Sequence, residues 1–291
     1  MKKNVVDLIN QTICCSNCHA KLVFSNKKNQ TIVCECGTQI VMDEGLILFP
    51  CDESNWLNEA ITKKAVQEFM QCEKDFFPDS PWNKEDAIDS LKMATQKLAN
   101  SINNNAGQVI LDMSGQIGPL YINEKFKEKN KNKIFIITNN QEMHLRMIKD
   151  ILDKQGYKNN VYITCDLKRI PLLNNTVDSV VSMSVFQNTN MPTKVFTEAI
   201  RVLKTFGNLI DLSFFFEEKS KSLEFANLLG SADLITSEKY FSYLATKSSL
   251  SYMKEDTKKY SGKFQSDLFP LKDDYIEPIL VNIKKEFSND N

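Results

Sequence analysis

A chain of 291 residues with 42% hydrophobic and 25% charged side chains can bury one large core with an appendage, or two modest cores. Its 36 basic and 37 acidic side chains leave a net charge of -1, so no global field draws it toward nucleic acid or anionic lipid. No run approaches the roughly 20 apolar residues of a membrane span, and the opening MKKNVVDLINQTICC lacks the uninterrupted apolar core of a secretory signal.

A cytoplasmic, reducing setting is therefore expected, where clustered cysteines point to metal rather than to disulfides. Five of the eight cysteines fall between residues 14 and 36. Cys15-Ser16-Asn17-Cys18 is a C-x-x-C knuckle, and Cys34-Glu35-Cys36-Gly37 is a second, shorter one. A tight turn lets two thiolates face one ion, so the two knuckles can gather Cys15, Cys18, Cys34 and Cys36 into the closed tetrahedral S4 site of structural zinc. Such a site leaves no position for a catalytic water. Because the second knuckle is C-x-C, the fourth ligand stays open between Cys36, Cys14 and His19. Strands are expected at Leu22 to Phe24 and Gln30 to Val33 between the knuckles, and at Thr38 to Met42 and Ile47 to Phe49 after them.

Cys51 to Ser101 has a helical pattern. Apolar residues recur at Leu57, Ala60, Ile61, Ala65, Val66 and Phe69; Asp79-Ser80-Pro81 interrupts, and a second helix opens at Asn83 and runs through Leu98. Phe76, Phe77, Trp82 and Met93 are apolar enough to line a pocket or to pack as core. Gln108 to Gly118 then reads as a strand and glycine-bearing turn, and Lys133 to Thr138 as a second strand. Val161 to Thr164 and Val177 to Met183 are short runs of β formers, with Cys165-Asp166 closing the first. Thr193 to Leu203 has one apolar helix face, Gly207 stands where that helix would stop, and Leu209 to Phe216 is apolar enough for an interior strand. Leu223 to Ile235 reads as helix and Glu277 to Lys285 as a final strand. Tyr240, Phe241, Tyr243, Tyr252 and Tyr260, in the Lys-, Ser- and Tyr-rich stretch between, either face a substrate or form a surface layer. Strands alternating with helices predict a parallel sheet covered on both faces.

The order Asp166, Ile170-Pro171, Asn175 to Asp178, strand, helix, Arg201-Val202-Leu203-Lys204, Gly207 resembles the second half of class I S-adenosylmethionine-dependent methyltransferases. Thr205-Phe206 replaces the Pro-Gly usual after that R-V-L-K. The cysteine-rich start resembles the zinc ribbon found ahead of some of these enzymes, including a group of ribosomal RNA methyltransferases, and the small activator proteins of tRNA methyltransferases. The resemblance implies a Rossmann-like fold, a parallel sheet with an antiparallel final strand. It divides the chain into a zinc ribbon (1–50), a helical linker or cap over the cofactor pocket (51–104) and a methyltransferase-like domain (105–291).

It also implies where S-adenosylmethionine sits. The first turn resembles D-x-G-x-G-x-G, with Asp112 and Gly118 matching, Ser114 and Gln116 in place of the first two glycines, and Gly115 between them. Thr138, followed by Asn139, stands where the family has a ribose-binding acid, with Glu142 one helical step on as a compensating carboxylate. Asp166 and the Leu167 amide correspond to the adenine contacts, and Ser184 to the residue closing over the methionine moiety. Ser114, Thr138, Asp166 and Ser184 all fall at strand carboxyl ends, where open α/β sheets bind ligands. The implied chemistry is methyl transfer from the sulfonium to a small-molecule acceptor. Two further readings stand beside it: RNA as the substrate, toward which the ribbon points, and a non-catalytic binding or scaffold protein, toward which Ser114, Gln116 and Thr138 point. His19 and His144 offer no convincing base, so the catalytic residue is left open, as is the oligomeric state. No N-P-P-Y-type tetrad follows the fourth strand, which argues against DNA; no membrane partner is expected.

Overall fold

The computed structural model describes residues 3–25, 29–51, 85–113, 115, 117–189, 191–220, 223, 234–261 and 274–287. The helix expected over Leu57 to Phe69, the candidates Phe76, Phe77 and Trp82, the turn residues Ser114 and Gln116, and most of the helix expected at Leu223 to Ile235 lie outside them.

The chain opens with an amphipathic helix that the sequence reading did not anticipate, α1 (Lys3–Thr12). An antiparallel three-stranded unit follows: β1 (Gln30–Val33), β2 (Gln39–Asp43) and β3 (Leu46–Leu48). Glu44 (φ 47) and Gly45 (φ 90) both take positive φ between β2 and β3, the signature of a two-residue primed hairpin turn. Leu22 to Phe24 does not form the expected strand; there only Lys21 bridges back, to Cys14.

Helix α2 (Glu85–Asn105) runs past Leu98, and its Met93 is exposed rather than lining a pocket. The expected alternation then appears. It comprises β4 (Val109–Asp112), α3 (Gly118–Tyr121), α4 (Glu124–Asn130), β5 (Ile134–Asn139), α5 (Glu142–Lys154), β6 (Val161–Thr164), β7 (Val177–Met183), α6 (Pro192–Val202) and β8 (Leu203–Phe216). α7 (Ser237–Ala245), β9 (Leu250–Asp256), β10 (Tyr260–Ser261) and β11 (Tyr275–Lys285) complete the described chain. Among these residues no helix is long and apolar enough to cross a membrane.

One mixed sheet holds these strands in the order β1-β2-β3-β6-β5-β4-β7-β8-β11-β10, with β9 also on β11. β6, β5, β4, β7 and β8 are mutually parallel, and β11 runs antiparallel to β8, so this is the Rossmann-like methyltransferase sheet with its antiparallel final strand. The parallel strands read as continuous apolar runs because both faces are covered. One face carries α2 and α5 over Ile110, Phe135, Ile137 and Val181; the other carries α6 and α7 over Ile163, Val180, Leu209 and Ile283.

β3 pairs in parallel with β6, Ile47 opposite Ile163, so the cysteine-bearing unit extends the main sheet. Ile9, Ile13, Leu22, Phe24, Ile40 and Phe49 share one core with Ile163, Leu172 and Phe186. Each fully buried aliphatic or aromatic side chain contributes roughly 1.5–3 kcal/mol. Arg146 of α5 also grips the β2–β3 turn through Asp43 and Glu44, but exposed ion pairs contribute only about 0–1 kcal/mol. Apolar burial therefore decides how this unit docks.

Gly207 does not stop a helix. α6 ends at Val202 and Gly207 lies inside β8, where a Cβ would sit 2.8 Å from the Asp178 carbonyl oxygen. The register against β7 jumps there, from Val177↔Leu203 to Ser179↔Asn208, and Phe206 in the bulge adopts φ 63.

Candidate functional site

The two cysteine knuckles meet. The Sγ atoms of Cys15, Cys18, Cys34 and Cys36 all lie within 4.8 Å of one another, with Cys15–Cys36 at 3.6 Å and Cys18–Cys34 at 3.5 Å. A disulfide would need about 2.05 Å, whereas a tetrahedron with metal–sulfur bonds of about 2.3 Å has edges of about 3.8 Å. The donor set therefore fits zinc. Turns close both knuckles: His19 (φ 57) donates its amide to Cys15 O at 2.9 Å, and Gly37 (φ 87) donates to Cys34 O at 2.8 Å. The Asn17 amide points at Cys15 Sγ, 3.4 Å away. Thr38 Oγ1, 3.1 Å from Cys36 Sγ, helps draw that thiol down to about 6, so it offers a thiolate at neutral pH. The short C-x-C knuckle thus still places Cys36 with the other three. Cys14 and His19 instead face each other at 3.8 Å, and burial pushes the Cys14 thiol up to about 11.

The second constellation lies along the carboxyl ends of β4 to β7. Asp112 ends β4, fully buried; burial pushes its carboxyl up to about 8, against the opposing pull of the Tyr121 hydroxyl, which donates to Oδ2 at 2.8 Å, and of the Ile117 amide. Gly115 takes φ 62, and a Cβ there would lie 2.5 Å from Ile148 Cδ1. A side chain there would be strained by the left-handed turn and would have to displace the end of Ile148 on α5. Gly118 begins α3, with a proline in its first turn.

At the end of β5, Thr138 has no exposure and its hydroxyl donates to the Asp112 carbonyl oxygen at 3.2 Å. Asn139 Oδ1 accepts the Gln141 amide at 2.8 Å, and its Nδ2 lies 3.0 Å from His144 Nδ1. Burial lowers the pKa of that imidazole. Glu142, on the exposed face of α5, pairs with Arg146, its Oε1 accepting from Nε at 2.8 Å and from Nη2 at 2.7 Å.

After β6, Asp166 is half-buried and caps the 3₁₀ turn Leu167–Arg169 by accepting the Lys168 amide at 2.9 Å. Cys165 donates its amide to Asn139 O at 3.0 Å, tying the β5 and β6 ends together. Ser184, at the end of β7, takes φ 57 and donates its amide to Leu212 O at 2.9 Å. Asp112, Gly115, Gly118, Thr138, Asn139, Asp166, Leu167 and Ser184 thus fall on one edge, at or just beyond four neighbouring strand ends, while Ser114 is outside the described residues.

A buried polar group went unread in the sequence. Asp211 in β8 lies opposite Ser182 and accepts from Ser213 Oγ (2.5 Å) and Tyr240 OH (2.7 Å). Gln187, in the turn after β7, donates to Ser213 Oγ at 2.8 Å. Burial pushes Asp211 up to about 6. The available signal was a lone Asp inside the apolar run LIDLSFFF. Tyr240, among the aromatics in doubt, is core in this group, whereas Phe241 and Tyr252 stack nearer the surface.

Residues 124–211 match the family model described as a methyltransferase domain, beginning just downstream of the altered glycine turn. No curated protein sequence matches the chain. Among solved structures, a candidate sarcosine dimethylglycine methyltransferase from Galdieria sulphuraria superposes with a TM-score of 0.54 at 13% identity, covering 77% of this chain and 99% of that one. Geranyl diphosphate methyltransferase in complex with SAM gives 0.52 at 11% identity over 81% of this chain and 93% of its own. A structure from Haloferax volcanii of the Trm112 methyltransferase activator with a methyltransferase candidate gives 0.52 at 14%, over 80% and 99%. These structural likenesses carry the fold, and the matched stretch, under a third of the chain, is similar to a methyltransferase domain.

Proposed function

We propose that the protein transfers methyl groups from S-adenosylmethionine to a small-molecule acceptor and carries a structural zinc ion on its N-terminal ribbon. The observation that carries the reading is the convergence of the turn after β4 and the ends of β5, β6 and β7 on one sheet edge. Asp166 and the Leu167 amide would hold the adenine, Thr138 and Asn139 the ribose end, and Ser184 the methionine end. The turn from Asp112 through Ser114 and Gly115 to Gly118 would lay its backbone amides along the ligand. When bound, the cofactor supplies an electrophilic methyl group on sulfonium sulfur. The protein's part is alignment and exclusion of water. Cys15, Cys18, Cys34 and Cys36 would hold the zinc. The net charge of -1 favours a small acceptor over RNA.

A second reading, a non-catalytic binding protein, is favoured by the ribose end. There the Thr138 hydroxyl turns onto a backbone carbonyl and Glu142 Oε1 pairs with Arg146. Calorimetric titration with S-adenosylmethionine separates the two readings. Saturable binding in the micromolar range is expected; no heat at millimolar cofactor would overturn the enzyme reading. Elemental analysis should return one zinc per chain. A low-salt titration with labelled RNA that bound tightly would overturn the small-acceptor assignment.

A further inference from the structure

The N-terminal unit converges on the segment that follows β6. Residues 12–14 run beside 171–173: Cys14 N donates to Pro171 O at 3.1 Å, Leu173 N donates to Thr12 O at 2.8 Å, and Ile13 bridges Leu172. Where β3 ends beside β6, Phe49 N donates to Thr164 O at 3.3 Å and Thr164 Oγ1 returns a bond to Phe49 O at 3.2 Å. Ile13 and Phe49 sit in one apolar cluster with Cys165, Ile170 and Leu172. Residues 164 and 171 bracket Asp166 and Leu167, so the N-terminal unit touches both ends of this short loop. α6 also holds the second end, Arg201 donating to the Ile170 and Leu172 carbonyls and Glu198 accepting the Ile170 amide.

The same residues form the cysteine cluster. Cys15 N donates to Ala20 O at 2.8 Å, Leu22 N to Ile13 O at 3.5 Å, and Cys14 bridges Lys21. The Cys15–Cys18 knuckle is therefore the turn of a hairpin whose first strand lies against 171–173. So short a hairpin is marginal in water by itself. Ile13 and Leu22 are packed in the core, and its turn, closed by the His19 N–Cys15 O bond, is joined to the second knuckle only where Cys15 and Cys18 meet Cys34 and Cys36.

We infer that the cysteine knuckle is a positioning element for the adenine end of the cofactor crevice: closed over a metal, it holds residues 12–14 against 171–173 and thereby sets Asp166 and Leu167. With the knuckle open, strand 12–14 loses its fixed turn, the Pro171 and Leu173 backbone groups exchange their partners for water, and a nucleoside must order the loop as it binds. Coupling between two binding sites is reciprocal, so the nucleoside in turn holds the metal more tightly. The inference rests on the reading of Asp166 and Leu167 as adenine contacts.

The test titrates S-adenosylhomocysteine calorimetrically into the full chain, zinc-loaded and chelator-stripped. Stripping is expected to weaken binding on the order of tenfold, within the usual range of coupling between sites, and zinc should restore it. Hydrogen exchange should quicken at 166–173 on stripping while β4 and β5 amides stay protected, which a merely stabilising ribbon would not produce. A second arm keeps all four cysteines: Ile13→Ala should retain one zinc per chain yet bind S-adenosylhomocysteine several-fold more weakly, and Ile13→Val should recover most of the affinity. This arm decides alone if the stripped chain unfolds. Equal affinity in loaded and stripped protein, or in Ile13→Ala with its zinc retained, overturns the inference and leaves the cofactor reading standing. No binding to the zinc-loaded wild-type chain would instead defeat the cofactor reading itself.

Discussion

The two halves of the carboxyl edge were built differently. At the half made by β6, proposed to take the adenine, Asp166 follows the pattern the sequence resembles and its loop is clamped from outside by the N-terminal unit. At the half made by β4 and β5, the pattern is worn: Thr138 stands for an acid, and the described part of the turn is shaped by interior demands. Asp112 bonds Tyr121, Gly115 packs on Ile148, and Thr138 bonds the Asp112 carbonyl. An edge supported from outside can keep side chains for a ligand; an edge that must also finish its own core spends them inward.

The largest expected effect tests that inward half through pH. The folded chain holds the Asp112 proton up to about pH 8, whereas an unfolded chain releases it near 3.8. Folded protein therefore binds the extra proton between those limits. Stability is full below about pH 4 and falls as pH rises through 8, by up to about 1.4 kcal/mol per pH unit. The denaturant midpoint difference between wild type and Asp112→Asn should move against the wild type as pH rises from 5 to 8, because the opposing slopes of Cys36 and His144 are common to both proteins. A slope unchanged by the substitution would show that the carboxyl is not buried as described. Asp211, raised to about 6, adds a smaller loss ending nearer pH 6 and unaffected by that variant.

Gly115→Ala should come next, near 2–3 kcal/mol, from a methyl 2.5 Å from Ile148 Cδ1 and from φ 62. In an Ile148→Ala background the added cost should shrink to the backbone part, about 1 kcal/mol, and full additivity would refute the clash. For the half made by β6, on the proposed cofactor placement, Asp166→Ala should weaken S-adenosylhomocysteine by about tenfold or more, roughly 1.5–3 kcal/mol, while Thr138→Val changes it by less than threefold. The reverse ranking would invert the contrast between the halves.

How much of this was legible follows the same division. β6, β7, α6 and the apolar part of β8 were readable because period and composition agreed with burial on both faces, and Asp166 could be placed by its distance from them. The union of β3 with β6 was not readable. A three-residue strand pairing with one more than a hundred residues away leaves no local period, and its partner is chosen by the fit of Ile47 and Phe49 into a shared core. α1 was hidden because Asp7 and Asn10 interrupt its apolar run. Asn10 turns out to be spent on Phe24, donating to its carbonyl at 3.1 Å and accepting its amide at 2.7 Å. The turn toward the interior of Thr138 could not be read either, nor the surface pairing of Glu142 with Arg146, since a residue type does not announce which of two available partners it takes.

The smallest effect concerns a departure away from the crevice, where opposing terms meet. Phe206 replaces the family's glycine after Thr205, adopts φ 63 and is 64% exposed, with Lys284 Nζ 5.7 Å from its ring. A left-handed conformation costs a side-chain-bearing residue roughly 1–2 kcal/mol that glycine escapes. Against this stand the greater unfolded-state freedom of glycine, about 0.4–1 kcal/mol, and an exposed cation–π contact of about 0.5–1 kcal/mol. The terms nearly cancel, so Phe206→Gly should shift stability by less than about 1 kcal/mol, whereas Gly207→Ala, one residue on, meets the Asp178 carbonyl at 2.8 Å and should cost several times more. Chemical denaturation of the pair decides the point. Equal effects would mean that the bulge is free to move, and that β8 is placed by its pairing with β11 rather than by its close approach to β7.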